Sequence, residues 1–149
     1  MSDEPRPTPG FLLWRLTMRW QAAVDKAVAP FGLTHAQYSM LASLRGMSRD
    51  GTRPSQRQLA DHTGLDPIFV SKLVRTLADN GLVTRTTNPV DSRAVELVLT
   101  RKGLATADRA IDAVIKLQDR LTEPLGGLRD KRTAQFINTL QRLLAAPLP

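Results

Sequence analysis

Over residues 55–99 the spacing of apolar residues changes from a helical period to a strand-like one, and the punctuation between the segments leaves few folds open. Ser55-Gln56-Arg57-Gln58 has the form of a capping box, in which a hydroxyl and an amide side chain each satisfy a backbone group at a helix start. The helix it opens is expected to run through Asp61 or His62 with Leu59 and Ala60 inward, and Gly64 breaks it. Asp66-Pro67 then supplies an acceptor at the cap and a residue without an amide proton at the first helical position, so a second helix starts sharply. Its apolar row is Val70, Leu73, Val74 and Leu77, closed by Asn80-Gly81. Residues 82–87 and 94–99, rich in Val, Leu and Thr, flank the turn-forming run 88–92 and predict a β-hairpin. Two helices joined by a short turn containing Gly are a helix-turn-helix unit, and the hairpin that follows would be its wing.

With the apolar row of the second helix buried, Pro67, Ile68, Ser71, Lys72 and Arg75 are left on the other side. That mixture of apolar, hydroxylic and basic groups suits thymine methyls, base edges and phosphates. Gln56 and Arg57, at the start of the preceding helix, are candidate phosphate contacts, although capping already accounts for the Ser55-Gln56-Arg57 pattern. The formal charge of +7 has the sign that a phosphate-bearing partner requires, but the excess is spread along the chain and does not locate a site.

The flanking segments are helical. Leu13, Leu16, Trp20, Val24, Ala27 and Phe31 recur at three- and four-residue steps, predicting a helix from Phe11 to Val28 that Thr8-Pro9 starts and Pro30-Gly32 ends. Thr34 and Gln37 form a second capping box, opening a helix with Tyr38, Leu41 and Leu44 inward. Thr100 caps a long helix striped by Leu104, Ala107, Ile111, Val114 and Leu121, and a last helix is expected from about Leu128, with Phe136, Ile137, Leu140, Leu143 and Leu144. These stripes exceed what a lobe built from the central residues can cover, and a second copy of the chain would remove the exposed apolar surface. The fold expected is therefore mainly α with a small β-hairpin, a single domain over 1–149. Residues 34–100 form the winged lobe, with the helix-turn-helix at 55–80 and the wing at 82–99, and residues 11–31 and 101–146 form the dimerisation helices.

There is no cysteine, so disulfides and thiolate metal sites are excluded, and His35 and His62 lack metal-ligand spacing. No metal or cofactor is expected. No signal-peptide pattern or membrane-length apolar run is seen, which points to the cytoplasm. Gly-rich phosphate loops and nucleophile elbows are also missing, so an enzyme is not expected.

Gly32-Leu33-Thr34, Leu82-Val83-Thr84-Arg85, Asp91-Ser92-Arg93 and Leu99-Thr100-Arg101-Lys102-Gly103 resemble, in order and spacing, the multiple-antibiotic-resistance-regulator (MarR) family. The resemblance covers nearly the whole chain. It implies a triangular homodimer whose first and last two helices interleave while two winged lobes grip double-stranded DNA, and a repressor released from a palindromic operator by a small, often aromatic, ligand. By the same resemblance, the helix carrying Ser71, Lys72 and Arg75 enters the major groove, Arg93 reaches a minor groove, and Asp91 holds Arg93 in position. Trp20, His35 and Tyr38 lie where a ligand cavity could form, although aromatic residues at helical spacing also serve as core. A winged-helix module that binds protein rather than DNA is the alternative reading of the same elements.

Overall fold

Side-chain caps set where the helices begin. Thr8, Thr34, Ser55, Asp66, Thr100 and Asp130 each accept a hydrogen bond from a backbone amide of the turn that follows, so every α-helix described opens on a satisfied donor. The computed structural model describes residues 6–91 and 94–149. The helices are α1 (Pro9–Val28), α2 (His35–Met47), α3 (Gln56–Thr63), α4 (Pro67–Asp79), α5 (Arg101–Leu121) and α6 (Lys131–Ala145), and the strands are β1 (Val83–Thr87) and β2 (Val95–Leu99). Single 3-10 turns at Ala29–Phe31 and Glu123–Leu125 follow α1 and α5. The architecture is mainly helical with one antiparallel hairpin, in which Val83 pairs with Leu99 and Thr87 with Val95.

One contiguous core joins the elements. Val24 and Val28 of α1, Met40, Leu41 and Leu44 of α2, Leu59 of α3, Val70, Val74 and Leu77 of α4, Leu97 of β2, and Ala107, Ala110 and Val114 of α5 are all nearly sealed from water. Burying a side chain of Val or Leu size is worth about 1.5–3 kcal/mol. The α4 row thus fixes which side of that helix faces solvent. α5 is the spine: it packs on α1, α2 and β2. α6 stands apart, with Thr133 its one buried residue, and residues 11–19 of α1 are exposed throughout.

The junction between the winged lobe and α5 explains the Leu-Thr-Arg-Lys-Gly motif. The Thr100 amide donates to the Leu82 carbonyl at 3.1 Å, and its hydroxyl donates to the Gly81 carbonyl at 2.6 Å while accepting from the Gly103 amide at 2.9 Å. Lys102 Nζ reaches the Asn80 carbonyl at 3.1 Å. A Cβ on Gly103 would stand 1.8 Å from the Leu82 carbonyl oxygen, so the residue at 103 has no room for a side chain.

Several boundaries differ from the sequence expectation, among them the end of α3, at Thr63 rather than Asp61 or His62, and the start of β2, at Val95 rather than residue 94. α1 starts at Pro9 rather than Phe11, as proline suits the first helical position. Leu82 lies outside the strand, its amide held by the Leu77 carbonyl. The last helix starts at Lys131 rather than near Leu128, because the Leu128 amide donates back to Asp119 Oδ1 at 2.9 Å and Asp130 is the true cap. Hydrogen bonds from the Arg132 side chain and backbone hold the Asp130 carboxyl below the usual carboxylate range. Leu13 and Leu16, expected on the packed stripe of α1, are exposed in the single chain.

Gly103→Ala is expected to lower unfolding free energy by about 1–3 kcal/mol, since the obstructing atom is backbone and cannot rotate away. Gly46→Ala, where an added methyl meets nothing within 4 Å, is expected to raise it by up to about 1 kcal/mol. Urea denaturation at one fixed protein concentration measures both, and an unchanged midpoint for Gly103→Ala would contradict the close approach.

Candidate nucleic-acid interface

The side of α4 opposite its buried row is fixed by helical geometry. At roughly 100° per residue, Ile68, Lys72 and Arg75 fall on one line facing away from Val70, Leu73, Val74 and Leu77, and all three are exposed. Ser71, expected among them, lies toward the edge of that face and is half-buried. The first turn is held rigidly: Asp66 Oδ1 accepts from the Ile68 amide at 2.9 Å and from the Phe69 amide at 3.1 Å, with Pro67 at the first helical position. Phe69, not anticipated as a surface residue, is 44% exposed on the flank of this turn. Its position just outside the apolar row was legible from the spacing.

α3 lies beside α4, and Gly64 between them adopts a left-handed conformation (φ 68°) that closes α3 through its amide onto the Ala60 carbonyl. The cap at Ser55 is complete: Gln58 Oε1 accepts from the Ser55 amide at 2.8 Å, and Ser55 Oγ accepts from the Gln58 amide at 3.0 Å. A cleft of about 600 Å³ opens where α3, α4 and the hairpin converge, lined by Gln56, Arg57, Asp61, Pro67, Asp91 and Val95 among others. Four sequence candidates, Gln56, Arg57, Pro67 and Asp91, therefore meet in one place. Gln56 Oε1 is enclosed and has no hydrogen-bond partner among the described residues.

The wing is built on Asn88. Its Oδ1 accepts from the Val90 amide at 2.8 Å and the Asp91 amide at 3.1 Å, while Nδ2 donates to Glu96 Oε1 at 2.9 Å. Such side-chain mimicry of a backbone turn is the physical basis of the turn preference of the run 88–92. Arg93 and its pairing with Asp91 lie outside the described residues. Along the second strand of the wing, Ser55 bridges to Glu96, and the Leu97 amide donates to the Pro54 carbonyl at 2.9 Å.

Trp20, His35 and Tyr38 have different surroundings among the described residues. Trp20 lines a cavity of about 310 Å³ with Leu13, Leu16 and Thr17 of α1, Gln118 of α5 and Phe136 and Leu140 of α6, and neither His35 nor Tyr38 is among its lining residues. His35 opens α2, its amide donating to Asp25 Oδ1 at 2.6 Å and tying α2 to α1. Tyr38 packs on the core, and burial pushes its phenol above the usual value, so it is neutral at pH 7. Among the described residues no cluster of three His, Asp or Glu side chains could hold a metal ion, and no helix is long and apolar enough to cross a membrane.

Comparison with known proteins agrees with this architecture. Residues 31–94 match the model of the MarR family. The chain is 36% identical over 140 residues to the uncharacterised HTH-type transcriptional regulator YdcH of Bacillus subtilis, covering 94% of this chain and 92% of that one. CouR of Rhodococcus jostii RHA1, solved bound to p-coumaroyl-CoA, superposes with a TM-score of 0.82 at 32% identity, covering 99% of each chain. The transcriptional repressor CouR on a 23-mer DNA duplex superposes with a TM-score of 0.76 at 30% identity, covering 93% of each. The chain belongs to the MarR family of transcriptional regulators.

Proposed function

We propose that this protein is a homodimeric, cytoplasmic repressor that binds a palindromic DNA operator and leaves it when a small ligand, aromatic in class, binds. The observation that carries the reading is the outward face of α4, where Ile68, Lys72 and Arg75 stand clear of the core beside the cleft holding Gln56, Arg57, Pro67 and Asp91. A rigid helix with basic side chains on its open face, set next to a second helix and a hairpin, matches the docking geometry of helix-turn-helix proteins. In this reading Ile68, Ser71, Lys72 and Arg75 face the major groove, Gln56 and Arg57 meet phosphates, and the wing carries Arg93 to the minor groove. The solved complex of the repressor CouR with a DNA duplex supports it by likeness.

The dimer reading rests on surface that one chain cannot cover. Phe11, Trp14 and Met18 of α1 and Ile137, Leu143 and Leu144 of α6 are all exposed, with Trp14 at 61% and Leu144 at 85%. Leaving such surface in water forfeits about 25 cal/mol per Å² of apolar area, and contiguous patches of this kind mark interfaces. Two lobes related by a two-fold axis would then meet half-sites about one helical turn apart, roughly 34–36 Å. The cavity beside Trp20 lies among the same helices, with a volume near the lower end of ligand pockets. A ligand there would shift DNA affinity only by binding the two dimer arrangements unequally. That CouR has been solved with p-coumaroyl-CoA supports a ligand-responsive design.

Selection of bound duplexes from a random pool is expected to return a palindrome. Affinity for it should fall roughly a thousandfold or more between 50 and 200 mM salt, as six or more phosphate contacts release counterions. Lys72→Ala, Arg75→Ala and Arg93→Ala are each expected to weaken binding without changing the thermal melt, and a flat salt response with unaffected variants would refute the DNA role. For the dimer, sedimentation equilibrium should give twice the chain mass. Leu144→Asp, harmless to a lone chain because the side chain is already exposed, should shift the population toward monomer. A monomeric wild type would end the dimer reading.

A further inference from the structure

The exposed large apolar residues of the described chain fall into two main groups. Most belong to α1, α5 and α6, where a second copy would cover them. Leu65, Ile68 and Phe69 do not: they cluster at the turn into α4 and on its first turn, and Ile68 is 69% exposed. Nothing in the dimer reading covers this patch.

We infer that Ile68, with Phe69 beside it, recognises the 5-methyl group of thymine in the major groove, so that this protein's operator preference includes a methyl-bearing pyrimidine under the first turn of α4. The inference rests on the regulator reading above and specifies what that site reads. Its chemistry is restrictive. Ile68 and Phe69 can neither donate nor accept a hydrogen bond through their side chains, so they gain nothing from the donor and acceptor edges of adenine, guanine or cytosine. The thymine methyl is the apolar group that a base edge presents in that groove.

The placement fits as well. Residues near the N-terminus of a recognition helix are the ones that reach base edges. Here that turn is pinned by Asp66 Oδ1 through the amides of residues 68 and 69, with Pro67 restricting the backbone. Lys72 and Arg75 follow Ile68 at four and seven residues, which puts cationic groups further along the same face, where they can meet phosphates. The apolar pair and the cations thus divide the work between base edge and backbone on one rigid surface.

Replacement of thymine by deoxyuridine tests this, because it removes the methyl and keeps the pairing edge. A duplex selected by the purified wild-type protein is resynthesised with each thymine replaced in turn, and affinities are measured by fluorescence anisotropy. Replacement at one or two positions per half-site is expected to weaken binding about fourfold per methyl, the equivalent of one buried methylene, and 5-methylcytosine at a cytosine in the same step should tolerate the contact. Ile68→Ala and Phe69→Ala should each narrow the difference between the deoxyuridine and thymine duplexes, which separates direct contact from a change in duplex shape. Tight binding that is indifferent to every replacement overturns this inference and leaves the regulator reading standing. Methyl sensitivity that persists undiminished in Ile68→Ala and Phe69→Ala overturns the assignment to these residues. Failure to select any duplex overturns the regulator reading and this inference with it.

Discussion

The contact between the first turn of α5 and the backbone around Leu82 holds the two halves of the chain in one geometry. Thr100 uses its amide and its hydroxyl on the carbonyls of Leu82 and Gly81, and Gly103 lets the helix backbone close onto the same spot. Each such hydrogen bond is worth only about 0.5–1.5 kcal/mol net, yet leaving a buried carbonyl unmatched costs more. The end of α4, the root of the wing and the start of the spine helix are therefore a single mechanical joint. α5 in turn packs on α1 and α2, so the orientation of α4 is inherited from the terminal helices.

The helix-turn-helix is economical in what it demands of the core. α3 contributes Leu59 and Ala60, and α4 contributes its single row, while both starts are satisfied by side-chain caps. Because the amides of Ile68, Phe69 and Val70 all donate to Asp66, within four residues, that turn holds its shape without neighbours on its outer side. The exposed face is thus rigid and open at once, a combination that docking onto a stiff polymer favours because little conformational entropy is lost on contact.

Much of this was legible in the sequence because the signals were local. Capping boxes at Thr34 and Ser55, the Asp66-Pro67 start and the Gly64 break each depend on residues no more than four apart, and each appears as read. Distant pairings were not legible. Asp119 holding the Leu128 amide delays α6, and Asp25 holding the His35 amide joins two helices across ten residues; neither leaves a periodic trace. The same limit applies to the site. Helical spacing placed Ile68, Lys72 and Arg75 on the open face, whereas the convergence of Gln56, Arg57, Pro67 and Asp91 in one cleft depends on how the hairpin folds back over α3. Trp20, His35 and Tyr38 were grouped by the family resemblance, and the cavity that Trp20 lines includes neither of the other two.

The bridge of Ser55 to Glu96, with Pro54 accepting from the Leu97 amide, stitches the chain just ahead of α3 to the second strand of the wing. The second strand of the wing and the helix pair are consequently held at a set angular offset, like the jaws of a caliper locked by a screw. On the proposed mode of binding, a duplex whose grooves are phased to that offset would seat both parts without distortion, while an overwound or underwound one would have to be twisted to fit, so sequence-dependent helical pitch would enter the affinity even at base pairs no side chain touches.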